Sequence, residues 1–134
     1  MIIEIRKLTA RGKYEGDFSF EFTPSEEKLL IPMCAFEGTV KVEGSYEIYE
    51  DDSVGVDFTV KYGLEGQCSY CLEKASKQVE YYSEVLFVAD KNDNDNYYYD
   101  GIKIDLTAAV NDALLFSQPE VLLCKEGCQG IKIN

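Results

Sequence analysis

The stretch TVKVEGSYEIYEDDSVGVDFTVKY (residues 39–62) decides the fold class. Val40, Val42, Tyr46 and Ile48 alternate with Lys41, Glu43, Ser45 and Glu47. Successive side chains of a strand point to opposite faces, so this pattern gives a strand with one apolar and one polar face. Gly44 interrupts the run at a position suited to a bulge or bend. After Glu50-Asp51-Asp52-Ser53 the alternation resumes with Val54, Val56, Phe58, Val60 and Tyr62 opposed by Gly55, Asp57, Thr59 and Lys61. Two such runs joined by a short acidic turn predict an antiparallel hairpin.

Working outward, residues 2–8 and 17–23 also read as strands, the second with Phe18, Phe20 and Phe22 on one face. Residues 77–88 give a further strand, with Val79, Tyr81, Val85 and Phe87 on one side and Tyr82, Leu86 and Val88 on the other, a pattern expected of a strand covered on both faces. Residues 90–96, DKNDNDN, form a solvated polar loop, and Tyr97, Tyr98 and Tyr99 are expected as aromatics resting on the sheet edge. Asp105 then reads as a helix N-cap. Leu106, Ala109, Val110, Ala113 and Leu114 fall on one apolar helical face, and Pro119 ends it. The expected fold is therefore α+β: a mostly antiparallel β-sheet or open barrel with one late α-helix, about 105–117, packed on it. No repeat, linker or low-complexity tract divides the 134 residues, so residues 1–134 are expected as one domain.

Net charge is −12, from 13 basic and 25 acidic residues. A surface so negative repels phosphate backbones and disfavours broad, charge-driven nucleic-acid binding. The balance is uneven, because residues 1–14 carry Arg6, Lys7, Arg11 and Lys13 against Glu4 alone. That basic start is expected as a solvated strand and turn, with a local nucleic-acid contact as the rival. There is no histidine. Its absence removes Ser-His-Asp and Cys-His catalysis, every His-containing zinc site, and His as a general base. The carboxylates Glu47, Glu50, Asp51, Asp52 and Asp57 fall on solvent-facing strand positions or in turns and are expected as surface. The opening residues lack the shape of a signal peptide, and no apolar run approaches the ~20 residues that span a bilayer. The expectation is a cytoplasmic protein with no membrane partner, in a reducing compartment where thiols or metal thiolates outnumber disulfides.

Five cysteines carry the remaining chemistry. Cys68 and Cys71 form a pair with two residues between them, Cys124 and Cys128 a pair with three. Zinc takes four soft ligands in a tetrahedron, and close spacings let one turn deliver two thiolates together. Three chemistries compete here: a structural four-cysteine zinc site made by Cys68, Cys71, Cys124 and Cys128; four reduced thiols packed as small apolar side chains; or redox or disulfide chemistry. A redox Cys-x-x-Cys caps a helix whose dipole lowers the thiol pKa. The residues after Cys71 return to strand patterning within a turn, which disfavours that chemistry. Cys34, in the apolar LLIPMCAF, is expected as a plain core residue.

The order of these elements resembles the YceD family, the large ribosomal RNA subunit accumulation proteins. The resemblance runs from about residue 29 to 131 through TVKVEG (39–44), DFTVKY (57–62), CSYCLE (68–73), FVAD (87–90), IDLTAAVNDALLFSQP (104–119) and LLCKEGCQGI (122–131). Two features depart from the family pattern. Tyr70 stands where the family carries an arginine between the first cysteines, and no further cysteine pair follows Cys128. Any metal site must therefore be completed by these four cysteines. The resemblance implies a role in accumulation of 23S-type ribosomal RNA and in biogenesis of the large subunit. Its expected form is a non-catalytic accessory factor whose partner is a large-subunit ribosomal protein or a pre-rRNA particle, with no small-molecule substrate. The rivals are a thiol-dependent redox enzyme using Cys68 and Cys71, and a β-rich interaction module unrelated to ribosomes.

Overall fold

The hairpin expected over 40–62 is the centre of the molecule. A computed structural model describes residues 1–25, 29, 34–68, 71 and 73–119. In it the hairpin strands are longer than their alternation suggested: β3 spans Cys34–Ile48 and β4 spans Val54–Gln67. Around them lie β1 (Ile2–Ile3), α1 (Ile5–Ala10), β2 (Glu15–Phe22), β5 (Lys74–Val88), β6 (Tyr97–Tyr98), β7 (Ile104–Asp105) and α2 (Thr107–Ser117). One sheet has the order β2-β3-β4-β5-β6, antiparallel except for the parallel β5–β6 edge, and β1 pairs with β7 apart from it. The fold is α+β with an open, mostly antiparallel sheet and the late helix packed on it, as the periodicity required.

The apolar rows make the core. Val40, Val42, Val54, Val56, Phe58, Val60 and Leu64 are buried on the inner face of the sheet. Against it sit Leu106, Ala109, Val110, Ala113 and Leu114, all buried, so every position of the apolar helical stripe faces inward. Removing a side chain such as Phe58 or Leu114 from water contributes about 1.5–3 kcal/mol. A hydrogen bond of 2.7 Å between the Tyr62 and Ser117 hydroxyls ties the end of α2 to β4. Helix α2 stops at Ser117 because Gln118, at φ −65° and ψ 132°, precedes Pro119, whose ring excludes the helical conformation from its neighbour.

Leu106 is already in the right-handed helical region, and Asp105 Oδ1 accepts hydrogen bonds from both the Thr107 N–H (2.9 Å) and its hydroxyl (2.6 Å). Asp105 thus supplies the capping bond to the first helical N–H, one residue before Leu106, which occupies the N-cap position itself. These bonds hold its carboxyl below the usual carboxylate range, the Thr107 hydroxyl contributing most.

Three expectations are corrected. The strand over 2–8 is a two-residue strand followed by helix α1, in which Ile5 is buried and Leu8 packs against the core one turn on. Ile2 and Ile3 are β-branched and read as strand, but Arg6 N–H donates to the Ile102 carbonyl, and this long-range bond redirects the chain. The irregularity lies at Gly38, Thr39 and Val40, which stand opposite Tyr62 alone, and not at Gly44. Two surplus residues preserve the inward–outward alternation, so Phe36 and Val42 both stay buried. Finally, β5 is not covered on both faces: Tyr82 is 55% exposed.

Gly44 serves a close approach instead. A Cβ there would lie 2.0 Å from the Asp57 carbonyl oxygen and 2.7 Å from Phe58 Cα. These are backbone atoms of a paired strand and cannot step aside. Gly44→Ala is expected to lower stability by at least about 2 kcal/mol, read from the denaturant midpoint, since overpacking against a fixed core is among the costly changes. A loss below about 0.5 kcal/mol, the range of ordinary surface changes, would show that the strands do not press together here.

Asp105 gives a pH-dependent expectation. Its folded-state pKa is depressed, so its contribution is present above the unfolded value and lost as pH falls through the folded one. Asp105→Ala should cost about 1 kcal/mol at neutral pH, with Asp105→Asn close to the parent because asparagine caps equally well. The gap between Asp105→Ala and the parent should narrow below about pH 4, the ordinary aspartate range. An unchanged gap at low pH would mean the carboxylate is not the cap.

Candidate functional site

The cysteine-bearing connection sits at one end of the sheet. Strands β4 and β5 stay in register to their last pairs, Gly66 with Ala75 and Gln67 with Lys74. The chain then reverses, and Cys68 N–H donates to the Glu73 carbonyl at 2.6 Å, closing the connection into a tight loop. Continuous pairing up to Gln67 therefore fixes where the first cysteine emerges. Cys68 is fully buried, whereas Cys71 is half-buried and packs against the core. The pair lies on a connection between two strands, as its sequence position implied.

Cys34 is brought to the same end. It begins β3 opposite Gly66, two residues before Cys68, on the face that carries Phe36 and Leu64. It is half-buried, where a plain core residue was expected, and lines an open concavity of about 610 Å³ with Ala35, Glu65, Gly66 and Lys74. No local spacing could have found this neighbour, since its placement depends on the β3–β4 register. Cys124 and Cys128 lie outside the described residues. Among the described residues, no three metal-ligating side chains come together.

What the described half offers suits a soft metal. Two cysteine side chains stand on one short connection, Cys68 buried and Cys71 half-buried, and close spacing of this kind lets one turn present two sulfur ligands to the same ion. The loop does not suit thioredoxin-type chemistry. Strand begins at Lys74, three residues after Cys71, so no helix starts behind these thiols to lower their pKa.

These features define a class: a β-rich α+β domain whose central strands end in a paired-cysteine loop. The family is more particular. The family model described as "Large ribosomal RNA subunit accumulation protein YceD" matches residues 56–134, and the chain belongs to the YceD family. The match begins inside β4 and takes in β5, α2 and both cysteine pairs. The resemblance read from residues 29–131 began earlier in the chain. Searches among curated proteins and among solved structures gave no match.

Proposed function

We propose that this protein is a non-catalytic accessory factor in the accumulation of large-subunit ribosomal RNA, acting in the cytoplasm on a large-subunit ribosomal protein or a pre-rRNA particle. Membership of the YceD family carries this reading. Two properties of the chain support it. A histidine-free sequence has no imidazole to serve as general base. The charge of −12 favours encounter with a basic protein over wide contact with RNA, and oppositely charged partners meet quickly and in a salt-dependent way.

In this proposal Cys68, Cys71, Cys124 and Cys128 hold a structural zinc. The metal clamps the β4–β5 connection to the C-terminal residues and takes no part in a reaction. Such sites in small peptides are worth ~10–16 kcal/mol of apparent binding energy, so the clamp is coupled to folding.

Protein purified anaerobically should carry about one equivalent of zinc, and Cys71→Ser should lose it, because three thiolates leave a tetrahedral site open. Less than about a tenth of an equivalent in the parent would remove the metal from the proposal. In gradients of growing cells the protein should co-migrate with large-subunit precursors, and crosslinking should recover ribosomal proteins or 23S-type rRNA with it. Failure to co-migrate even when precursors accumulate would favour an interaction module unrelated to ribosomes.

A further inference from the structure

The outer face of the sheet carries a charge distribution that the core does not require. On its half nearest the β3–β4 turn, Glu15 stands directly opposite Glu47, and Asp57 directly opposite Glu84. Like charges facing each other across a strand pair destabilise a sheet. On the other half the same problem is relieved: Lys61 reaches Glu43 at 3.7 Å and Glu80 at 3.5 Å. Among the described residues no such cation serves the first half.

Here the surface is concave. Glu47, Asp57, Glu84 and Asp95, with Tyr49 and Tyr82, line a cleft of about 580 Å³ whose lining, among the described residues, holds no lysine or arginine. Gly55 also lines it, and a Cβ there would meet the Tyr49 hydroxyl at 2.8 Å, so the ring closes over a residue without a side chain. Tyr49 is 45% and Tyr82 55% exposed. Two of these carboxylates are held by hydroxyls of the sheet: the Ser45 hydroxyl donates to Asp57 Oδ1 at 2.6 Å, and the Tyr82 hydroxyl to Glu84 Oε1 at 2.7 Å. The Glu84 bond pushes the Tyr82 phenol up to about 12.

Fixed carboxylates beside exposed aromatic faces match the chemistry of the guanidinium group, which pairs with carboxylates through its planar fork and stacks on rings. We propose that this cleft docks an extended, arginine-rich segment of a basic protein, whose side chains neutralise the opposed pairs Glu15–Glu47 and Asp57–Glu84. The proposal deepens the function given above and rests on it for the partner's origin in the large-subunit particle. The surface itself is defined by charge complementarity alone.

The test uses full-length protein and a synthetic peptide of about twelve residues alternating arginine and glycine, long enough as an extended chain to cross the four strands at ~3.3 Å per residue. Titration should give saturable binding that weakens as salt rises. The triple variant Glu47→Gln, Asp57→Asn, Glu84→Gln should bind at least about tenfold more weakly. Because it removes like-charge pairs, it should be as stable as the parent or more so, which separates lost binding from lost folding.

A control with the same charge change at the opposite end of the sheet, Glu37→Gln, Glu65→Gln, Glu73→Gln, should keep its affinity. Equal losses in both variants, or none in the first, would overturn the cleft. Tighter binding of a single-stranded RNA than of the peptide would overturn the protein partner. Self-association abolished by the cleft variant would assign the cleft to the basic start, Arg6 to Lys13, of a second copy and overturn it likewise. Peptide binding without co-migration with precursors would sink the ribosomal origin and leave the surface standing. Co-migration that survives in the cleft variant would sink the surface.

Discussion

Strand β4 is paired on both sides, with β3 and with β5, along nearly its whole length. The other features of the described molecule take their positions from that double pairing. A central strand has no free backbone donors to satisfy elsewhere, so its register is held by both neighbours and by the alternation of its own side chains. Val54, Val56, Phe58, Val60, Tyr62 and Leu64 are consequently all buried, and the helix stripe of α2 has a surface to meet. The same register sends Gly55 and Asp57 to the opposite face and delivers Cys68 at the strand's end. Core, outer face and cysteine loop are three outcomes of one constraint.

The two ends of the sheet are built differently. At the turn end, Ser53 N–H and Oγ bond to Asp51, Asp52 adopts φ 67°, and the Tyr99 hydroxyl donates to the Asp52 carbonyl. An aspartate tolerates this left-handed conformation better than most residues, and a tyrosine from beyond β6 holds it there. This end is acidic and aromatic. At the other end β3 begins with Cys34 beside the Cys68–Cys71 loop, so sulfur chemistry gathers where pairing ceases. The carboxylate-lined cleft and the cysteine loop thereby lie at opposite ends of one sheet.

Much of this was legible in the residues. The hairpin, the Phe18–Phe20–Phe22 strand, the helix stripe and the Asp105 cap follow from periods of two and 3.6 and from local hydrogen-bonding chemistry. What failed was local pattern under long-range control. Ile2-Ile3-Glu4-Ile5 reads as strand, yet pairing with β7 uses two residues, and the Ile102 carbonyl draws the next into α1. Gly44 looked like a bulge because glycine marks both irregularity and close approach, and these differ only once a partner strand is present. Of the candidate site, the Cys68–Cys71 spacing and its place between strands were legible. The arrival of Cys34 was not.

The sequence by itself determined the α+β class, the hairpin at its centre, the exclusion of histidine chemistry, the spacing of the cysteines and the kinship with YceD proteins. Each is a property of composition or of short-range order, which a linear string records in full. Tertiary structure alone decided which carboxylates oppose one another, where Tyr49 and Tyr82 stand, and that Cys34 joins the cysteine end. Those facts depend on strand register, and register is set by the summed burial of two faces across residues far apart in the chain. A strand written as alternating letters names its faces, but its partner chooses what each face meets.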